Sequence, residues 1–468
     1  MANGKIFLDI RRPFSYTHLT QKRVLIKIFS FSILEISAFH PSEIELNRKS
    51  DKHAMSDVTF LQFLKSNYTP GDSLKDFCKR TIVGGASITG ATLENALGYP
   101  MLNAWTNFLP AHAKFEIAAI SFNTPGAPRA YREAQRLKAL GKIVIAGGVH
   151  PSALPDEALK YFDAICIGAG DAEFPRMVID AKRGKLKHMY HGKPGDWAIP
   201  RRHRTLGLSL VQLSRGCSKS CPFCSVSAIF PGGVDEKPLE LVERELEQTS
   251  ATLSIVDDNF PVNTAKGRQI LSLLRDAGKR FLCQISPETA LDQKVLKDLA
   301  RSGCILIGVG MESINPQSLV FLGKPLQKDP SEVVERIQDA GMACYLNLVF
   351  GSDGETSDIF EETLQFLEQT RPAVVSPHIL TPYPGTVLYT SIVQQDRLLF
   401  KESNLPEAWA FFDSKHVTFV PDPMTPDELR EGFAMFVKEL FSLRKTLRRA
   451  PRKFFWTALL SSLLKNAW

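Results

Sequence analysis

From residue 117 onward, short apolar runs alternate with stretches of helical period. Residues 117–122, 143–146 and 164–167 are almost wholly apolar, too short for helices and followed closely by glycine or proline, so they read as buried strands. Between the first two, Ala130, Ala134, Leu137 and Leu140 fall on one face of a helix that starts at Pro128 and is stopped by Gly141. Another helix is expected near residues 156–161. Strands and helices alternating in this way pair their strands in parallel through right-handed crossovers, which predicts an α/β, Rossmann-like sheet. A second series follows, with strands expected at 210–213, 253–256, 281–285, 305–309, 345–350 and 374–380, and helices between them that end at Gly278, Gly303 and Gly341. Six units in about 180 residues fall short of the roughly 250 of a closed eightfold barrel. A partial, open (β/α)6 barrel with a lateral mouth is therefore predicted.

The remaining segments show less. Residues 1–65 mix Arg11, Arg12, Lys22 and Arg23 with short apolar runs and hold no period. They read as a poorly defined extension, partly disordered or lying upstream of a start at Met55. Residues 66–112 give only turn signals, and no opening strand is legible before residue 115. Residues 183–206 are a linker by composition, with Gly192, Pro194, Gly195, Pro200 and basic positions 201–204. The expected division is an extension (1–65), a sheet domain (66–200), the barrel (201–390) and a helical C-terminal region (391–468). In the last, Thr425 caps a helix with Pro426 in its first turn. A basic series from Arg444 to Lys453 then leads into Phe454, Phe455, Trp456 and several leucines. Such a tail suits an anionic membrane surface; a terminal helix docked on the barrel is the alternative.

Catalytic groups on a barrel of this kind sit at the C-terminal ends of its strands. The loop after the first barrel strand, Arg215-Gly216-Cys217-Ser218-Lys219-Ser220-Cys221-Pro222-Phe223-Cys224, holds three of the eight cysteines. Thiolates at this spacing can bind three irons of a cubane cluster and leave the fourth iron open, whereas ordinary electron carriers fill every corner. Zinc would need a fourth ligand. Cys283, Cys304 and Cys344 lie in apolar runs, where a free cysteine behaves as a small hydrophobe. Later strands end in Asp257 and Asp258, then in Glu312 and Ser313; the two aspartates read equally as helix caps. In the first sheet the strand ends carry Ser121 and Asn123, then Gly147, Gly148 and His150, then Gly168 and Gly170. The carboxyl ends of an open parallel sheet form its binding crevice, and glycines let a bulky ligand approach.

With Phe223 directly before its last cysteine, the loop resembles that of the radical S-adenosylmethionine superfamily. The ordered strand-end motifs over about residues 115–440 resemble its branch with an N-terminal cobalamin-binding domain. The resemblance implies a 4Fe-4S cluster on Cys217, Cys221 and Cys224, with S-adenosylmethionine near Phe223, Asp257, Asp258, Glu312 and Ser313. It implies cobalamin (vitamin B12) against Ser121, Asn123, Gly147, Gly148, His150, Gly168 and Gly170. No Asp-x-His-x-x-Gly motif offers an axial ligand, and His150 reads equally as a corrin contact or a structural turn residue. In the implied reaction the cluster reduces the sulfonium, and the resulting deoxyadenosyl radical takes a hydrogen atom from an unreactive carbon. With cobalamin, a methyl group passes to that carbon. Methylation of carbon is the leading reading; a radical cyclase or oxidoreductase without methyl transfer, and a zinc-stabilised binding protein, are the alternatives. A reductant such as flavodoxin or ferredoxin is the implied partner.

Composition narrows the partners. The 468 residues are 44% hydrophobic and 23% charged, as in an ordinary globular protein. A net charge of +7 without an aromatic-rich basic motif gives no case for nucleic acid. The cysteines crowd one loop instead of forming a disulfide framework, which points to a reducing compartment. The longest apolar stretch, residues 24–39, is broken by Lys27 and Glu35 and falls short of the roughly 20 residues of a membrane span. The expected location is cytoplasmic, with the tail able to rest on the inner membrane face, and the expected substrate a small molecule, lipid-like or polycyclic.

Overall fold

The structure, a computed structural model, describes residues 58–63, 102–104, 115–200, 207–231 and 233–449. The first sheet contains β1 (Val58–Phe63), β2 (Leu102–Ala104), β3 (Ile117–Phe122), β4 (Ile143–Gly147), β5 (Ala164–Ile167) and β6 (Met189–His191). They lie in the order β2-β1-β3-β4-β5-β6, and every pair is parallel. The strand order reverses at β1 and β3, the kind of position where doubly wound sheets bind ligands outside the strands' carboxyl ends.

Three strands of this sheet, β1, β2 and β6, were not expected from the sequence, and β2 lies in the stretch that gave only turn signals. β1 lies inside the segment read as an extension, and it pairs along its whole length with β3, Val58 opposite Ile117. Val58, Thr59, Phe60 and Leu61 are all buried, so both faces of the strand are covered and no alternation marks it. β6 lies inside the segment read as a linker and extends the sheet beyond β5. The helix expected at 156–161 is two short turns instead, Val149–Ala153 and Pro155–Ala158.

The second sheet begins with β7 (Leu208–Val211). A small antiparallel ladder of β8 (Ser214–Arg215) and β9 (Asp235–Glu236) follows, then β10 (Thr252–Ile255), β11 (Arg280–Ile285), β12 (Cys304–Glu312), β13 (Ala343–Phe350) and β14 (Val374–Ile379). The order β14-β13-β12-β11-β10-β7 is sequential and parallel throughout. Each crossover steps the same way, as in a barrel wall, and the six predicted units give a curled half-barrel. Side chains alternate across it. Phe281, Cys283, Ile285, Ile307, Val309, Met311, Leu346, Leu348 and Phe350 join the helices in one apolar core. The opposite, inner face carries Gln284, Gly308, Gly310, Glu312, Tyr345, Asn347, Ser376 and His378.

C-terminal to the barrel, a helix runs from Pro426 to Leu440 with Thr425 as its cap. The Thr425 hydroxyl accepts from the Glu428 N–H while the Glu428 carboxylate accepts from the Thr425 N–H. Lys445, in the helix Leu443–Arg449, pairs with Glu368 at 3.7 Å and Glu439 at 3.8 Å, so part of the basic series faces the protein. The aromatic tail lies outside the described residues, among which no helix is long and apolar enough to cross a membrane.

Residues 405–412 fasten this C-terminal part to the first sheet. Trp409 is buried, and its Nε1 donates to Glu157 at 2.9 Å; the same carboxylate oxygen accepts from the Tyr131 hydroxyl at 2.6 Å and stands 3.3 Å from His150 Nε2. Replacing Glu157 by Ala removes the acceptor of the buried Trp409 Nε1–H and one of the two partners of the Tyr131 hydroxyl, and should lower stability by about 1–3 kcal/mol, seen as a lower thermal midpoint. Trp409→Phe keeps most of the packing and should cost less. An unchanged midpoint for Glu157→Ala would mean that packing alone holds this segment.

Candidate active site

β7 ends at the rim of the half-barrel, and the thiol loop leaves from it. Cys217, Cys221 and Cys224 line one cavity together with Phe223, Asp257, Asp258, Gln284, Glu312 and Lys324. The loop is short of regular structure, so its shape comes from outside. Gly216 takes a positive φ of 78°, and a Cβ there would lie 2.1 Å from the Gly233 carbonyl oxygen, so only glycine fits. Pro222 accepts from the Leu388 N–H at 2.9 Å. Cys224 begins the short helix Ser225–Ile229, and the N–H groups of Val226 and Ser227 approach its sulfur. Burial raises the pKa of Cys221 and of Cys224; those N–H groups oppose it at Cys224, and Lys324 opposes it at both.

Asp257 and Asp258 line the cavity, but they are neither helix caps nor free carboxylates. Asp257 accepts from the Leu213 N–H at 2.7 Å and the Ser214 hydroxyl at 2.6 Å; Asp258 accepts from the Gly216 N–H at 3.0 Å. Both oxygens of Asp257 are used in this way. Burial raises its pKa to about 6 against those hydrogen bonds. The two side chains hold the backbone from which the first cysteine projects. The cap of the helix that follows is Thr264.

Glu312 ends β12, where the register with β13 shifts, and it sits at a positive φ of 64°. That bulge turns the carboxylate over Gly310, where a Cβ would lie 2.5 Å from Oε1. Lys324 Nζ stands 2.5 Å from Glu312 Oε1 and 3.1 Å from the Gly310 carbonyl oxygen. Burial disfavours its charge, but Glu312 and the nearby thiols outweigh this and its pKa is raised. The sequence reading missed Lys324, which sits in an ordinary turn after the helix Pro316–Phe321. Ser313 is not in the cavity: its hydroxyl points the other way, to Glu355 Oε1 at 3.0 Å, because the bulge reverses the side-chain direction.

A second cavity, of about 310 Å³, opens where the carboxyl ends of the first sheet face the barrel. Ser121, Asn123, Gly147, Gly148, Gly168 and Gly170 line it, as do Arg215, Gln212, Trp197 and Lys237 from the other side. At Gly147 a Cβ would meet nothing nearer than 3.8 Å, and the same holds at Gly168, so any side chain there would extend into this space. Gly148 serves packing instead, since a Cβ would lie 2.7 Å from the Phe122 carbonyl oxygen. His150 does not line the cavity. It is fully buried, with Nε2 2.9 Å from the Tyr131 hydroxyl and Nδ1 3.3 Å from the Thr124 hydroxyl. Burial lowers its pKa despite Glu157. Of its two readings, the structural one matches this placement.

Among the described residues no three His, Cys, Asp or Glu side chains stand close enough to share one metal ion.

The Radical SAM superfamily profile matches residues 211–367, the half-barrel with its thiol loop. Bacteriochlorophyllide d C-12(1)-methyltransferase of Chlorobaculum tepidum is 26% identical over 367 residues, covering 73% of this chain and 79% of that protein. Among solved structures, the radical S-adenosylmethionine methyltransferase TsrM from Kitasatospora setae, with cobalamin and a [4Fe-4S] cluster bound, aligns with a TM-score of 0.53 at 15% identity over 73% of this chain and 78% of its own. OxsB, a cobalamin-dependent S-adenosylmethionine radical enzyme, aligns at 0.63 and 13% identity over 88% of this chain and 71% of its own. The half-barrel, its rim of three thiols and the profile match agree: residues 211–367 match the Radical SAM superfamily, whose enzymes use a 4Fe-4S cluster and S-adenosylmethionine.

Proposed function

We propose that the chain is a cobalamin-dependent radical methyltransferase acting on an unactivated carbon of a small, polycyclic or lipid-like molecule. The observation that carries this reading is that one segment, 212–224, borders two separate cavities, one lined by the three thiols and the other by the glycines of the first sheet. Cys217, Cys221 and Cys224 would hold the cluster. The Glu312–Lys324 pair presents a carboxylate and an ammonium side by side, which complements the amino and carboxylate groups of a methionine moiety. Gly147, Gly168 and Gly170 leave room for a corrinoid. A volume of about 310 Å³ is at the low end for small-molecule sites, so it would take part of so large a ligand. No histidine is among the described lining residues. When bound, these groups would supply reductive cleavage of the sulfonium and carriage of a methyl group.

The chain's own residues then position and shield. Tyr345, Asn347, Ser376 and His378 give the inner face of the half-barrel an uncharged hydrogen-bonding surface, with Ser376 Oγ 3.0 Å from His378 Nε2. Burial lowers the pKa of His378, which favours the neutral ring. Such a surface suits neutral oxygen or nitrogen groups on a largely apolar substrate. The radical SAM match over residues 211–367 supports an enzyme over a non-catalytic zinc protein. A second reading is radical chemistry without net methylation; the fate of a labelled methyl group separates the two. An external one-electron reductant of the flavodoxin or ferredoxin kind is part of the proposal.

Three measurements test it. Protein reconstituted without oxygen should hold about four irons per chain and form deoxyadenosine from S-adenosylmethionine, and Cys221→Ala should abolish that product; cleavage at the normal rate would remove the cysteine assignment. Glu312→Gln should weaken S-adenosylmethionine binding by about 10–100-fold, the worth of a charge-assisted hydrogen bond; unchanged affinity would place the methionine end elsewhere. Hydroxocobalamin should remain with the wild-type protein through gel filtration and be lost from Gly147→Leu with the circular dichroism spectrum preserved. Equal retention would move the corrinoid out of this cavity.

A further inference from the structure

We infer that Arg215 is a positioning residue that couples the cavity of the first sheet to the thiol loop, so that a ligand filling the former alters the geometry of the latter. The inference rests on the corrinoid reading above. Arg215 lies two residues before Cys217, and its side chain is held from four directions. Its Nη2 donates to Asp171 Oδ1 at 2.8 Å, Nη1 to the Asp196 carbonyl oxygen at 3.1 Å and Nε to Gln212 Oε1 at 3.2 Å, while the guanidinium lies 3.8 Å from the centre of the Trp197 ring. Asp171 belongs to the turn after β5, and it also accepts from the Ala198 N–H at 3.0 Å. The guanidinium thus bridges the first sheet, the connecting segment and the barrel.

Three of the groups that hold it, Asp171, Gln212 and Trp197, line the same cavity as Arg215 itself. A ligand entering there touches the restraints and the restrained group together. On the other side of Arg215 there is little slack. Gly216 is confined by the Asp258 carboxylate on its N–H and by the Gly233 carbonyl oxygen against its Cα, and Arg215 is paired with Asp235 in the β8–β9 ladder. A shift of the guanidinium would therefore load the backbone at residues 215–216, which leads directly into Cys217. Lysine cannot replace this group, because a point charge on a flexible stem does not satisfy a fork of three acceptors and a ring face.

The test uses the reconstituted full chain and hydroxocobalamin as the probe, with the electron paramagnetic resonance spectrum of the reduced cluster as the readout. In the wild type, adding the corrinoid should change the cluster's g-values. Arg215→Lys and Asp171→Asn, each studied at a corrinoid concentration that saturates it and with the same iron content, should show cluster spectra indifferent to the corrinoid. A merely structural role would change iron content or stability without uncoupling the two signals. Asp171→Asn carries the test if Arg215→Lys fails to assemble, since Asp171 lies outside the loop. A corrinoid-induced change that persists in Asp171→Asn, or its absence from wild-type protein that does bind corrinoid, overturns the inference. A wild type that binds no corrinoid overturns the cobalamin reading and this inference with it.

Discussion

The site depends on one restraint: buried carboxylates after β10 hold the backbone of a loop that makes few regular hydrogen bonds of its own. Three thiols can share one cluster only if their separations are set before the cluster arrives, or else the loop must be ordered at the cluster's expense. Asp257 fixes residues 213 and 214 and Asp258 fixes Gly216, so the segment leading to Cys217 is anchored on the neighbouring strand of the barrel. Leaving the buried Asp257 carboxylate without these donors would cost several kcal/mol, and the half-buried Asp258 less. The loop and the carboxylates are thus mutually required, and neither would be in place without the parallel pairing of β7 and β10.

That restraint explains why the opposite wall of the cavity can be different in kind. Glu312 and Lys324 are not fixed by backbone donors; they hold each other across a bulge, at the end of the longest strand. A close pair of opposite charges is stable while alone and can exchange partners when a zwitterion enters, since each member then gains a replacement of the right sign. A positive φ at a glutamate is uncommon and strained. Here the strain aims a carboxylate at the cavity that an ordinary strand residue would have presented to the barrel interior one step lower.

Much of this could be read in the chain, and the failures share a physical cause. The six barrel strands and the thiol loop were legible because each strand is a short apolar run punctuated by turn residues, and because cysteine spacing is a covalent fact that tertiary structure cannot alter. β1 was not legible: with Val58, Thr59, Phe60 and Leu61 buried on both faces, it has no alternation to detect, and nothing near it in sequence pairs with it. β6 is three residues long at the sheet's edge, inside a stretch rich in glycine and proline. The aspartates were placed in the right cavity, but their partners are backbone N–H groups some 40 residues away, which no local pattern announces. Lys324 and Arg215 likewise draw their significance from contacts that only folding supplies.

The lining of the first sheet's cavity contains more buried charge than stability alone would favour. Arg215 with Asp171, and Lys237 with Glu245, are ion pairs whose side chains are nearly all withdrawn from water. Lys237 also lies near the face of Trp197, 5.1 Å from the ring centre. Desolvating such pairs costs about as much as their attraction returns, and well-packed apolar residues often do as well or better. What an apolar wall could not supply is direction. A guanidinium held by three acceptors and a ring has one orientation, while aliphatic side chains of equal volume have several. The charges therefore set geometry more than they add stability, and they do so where the cavity of the first sheet meets the segment that leads into the thiol loop.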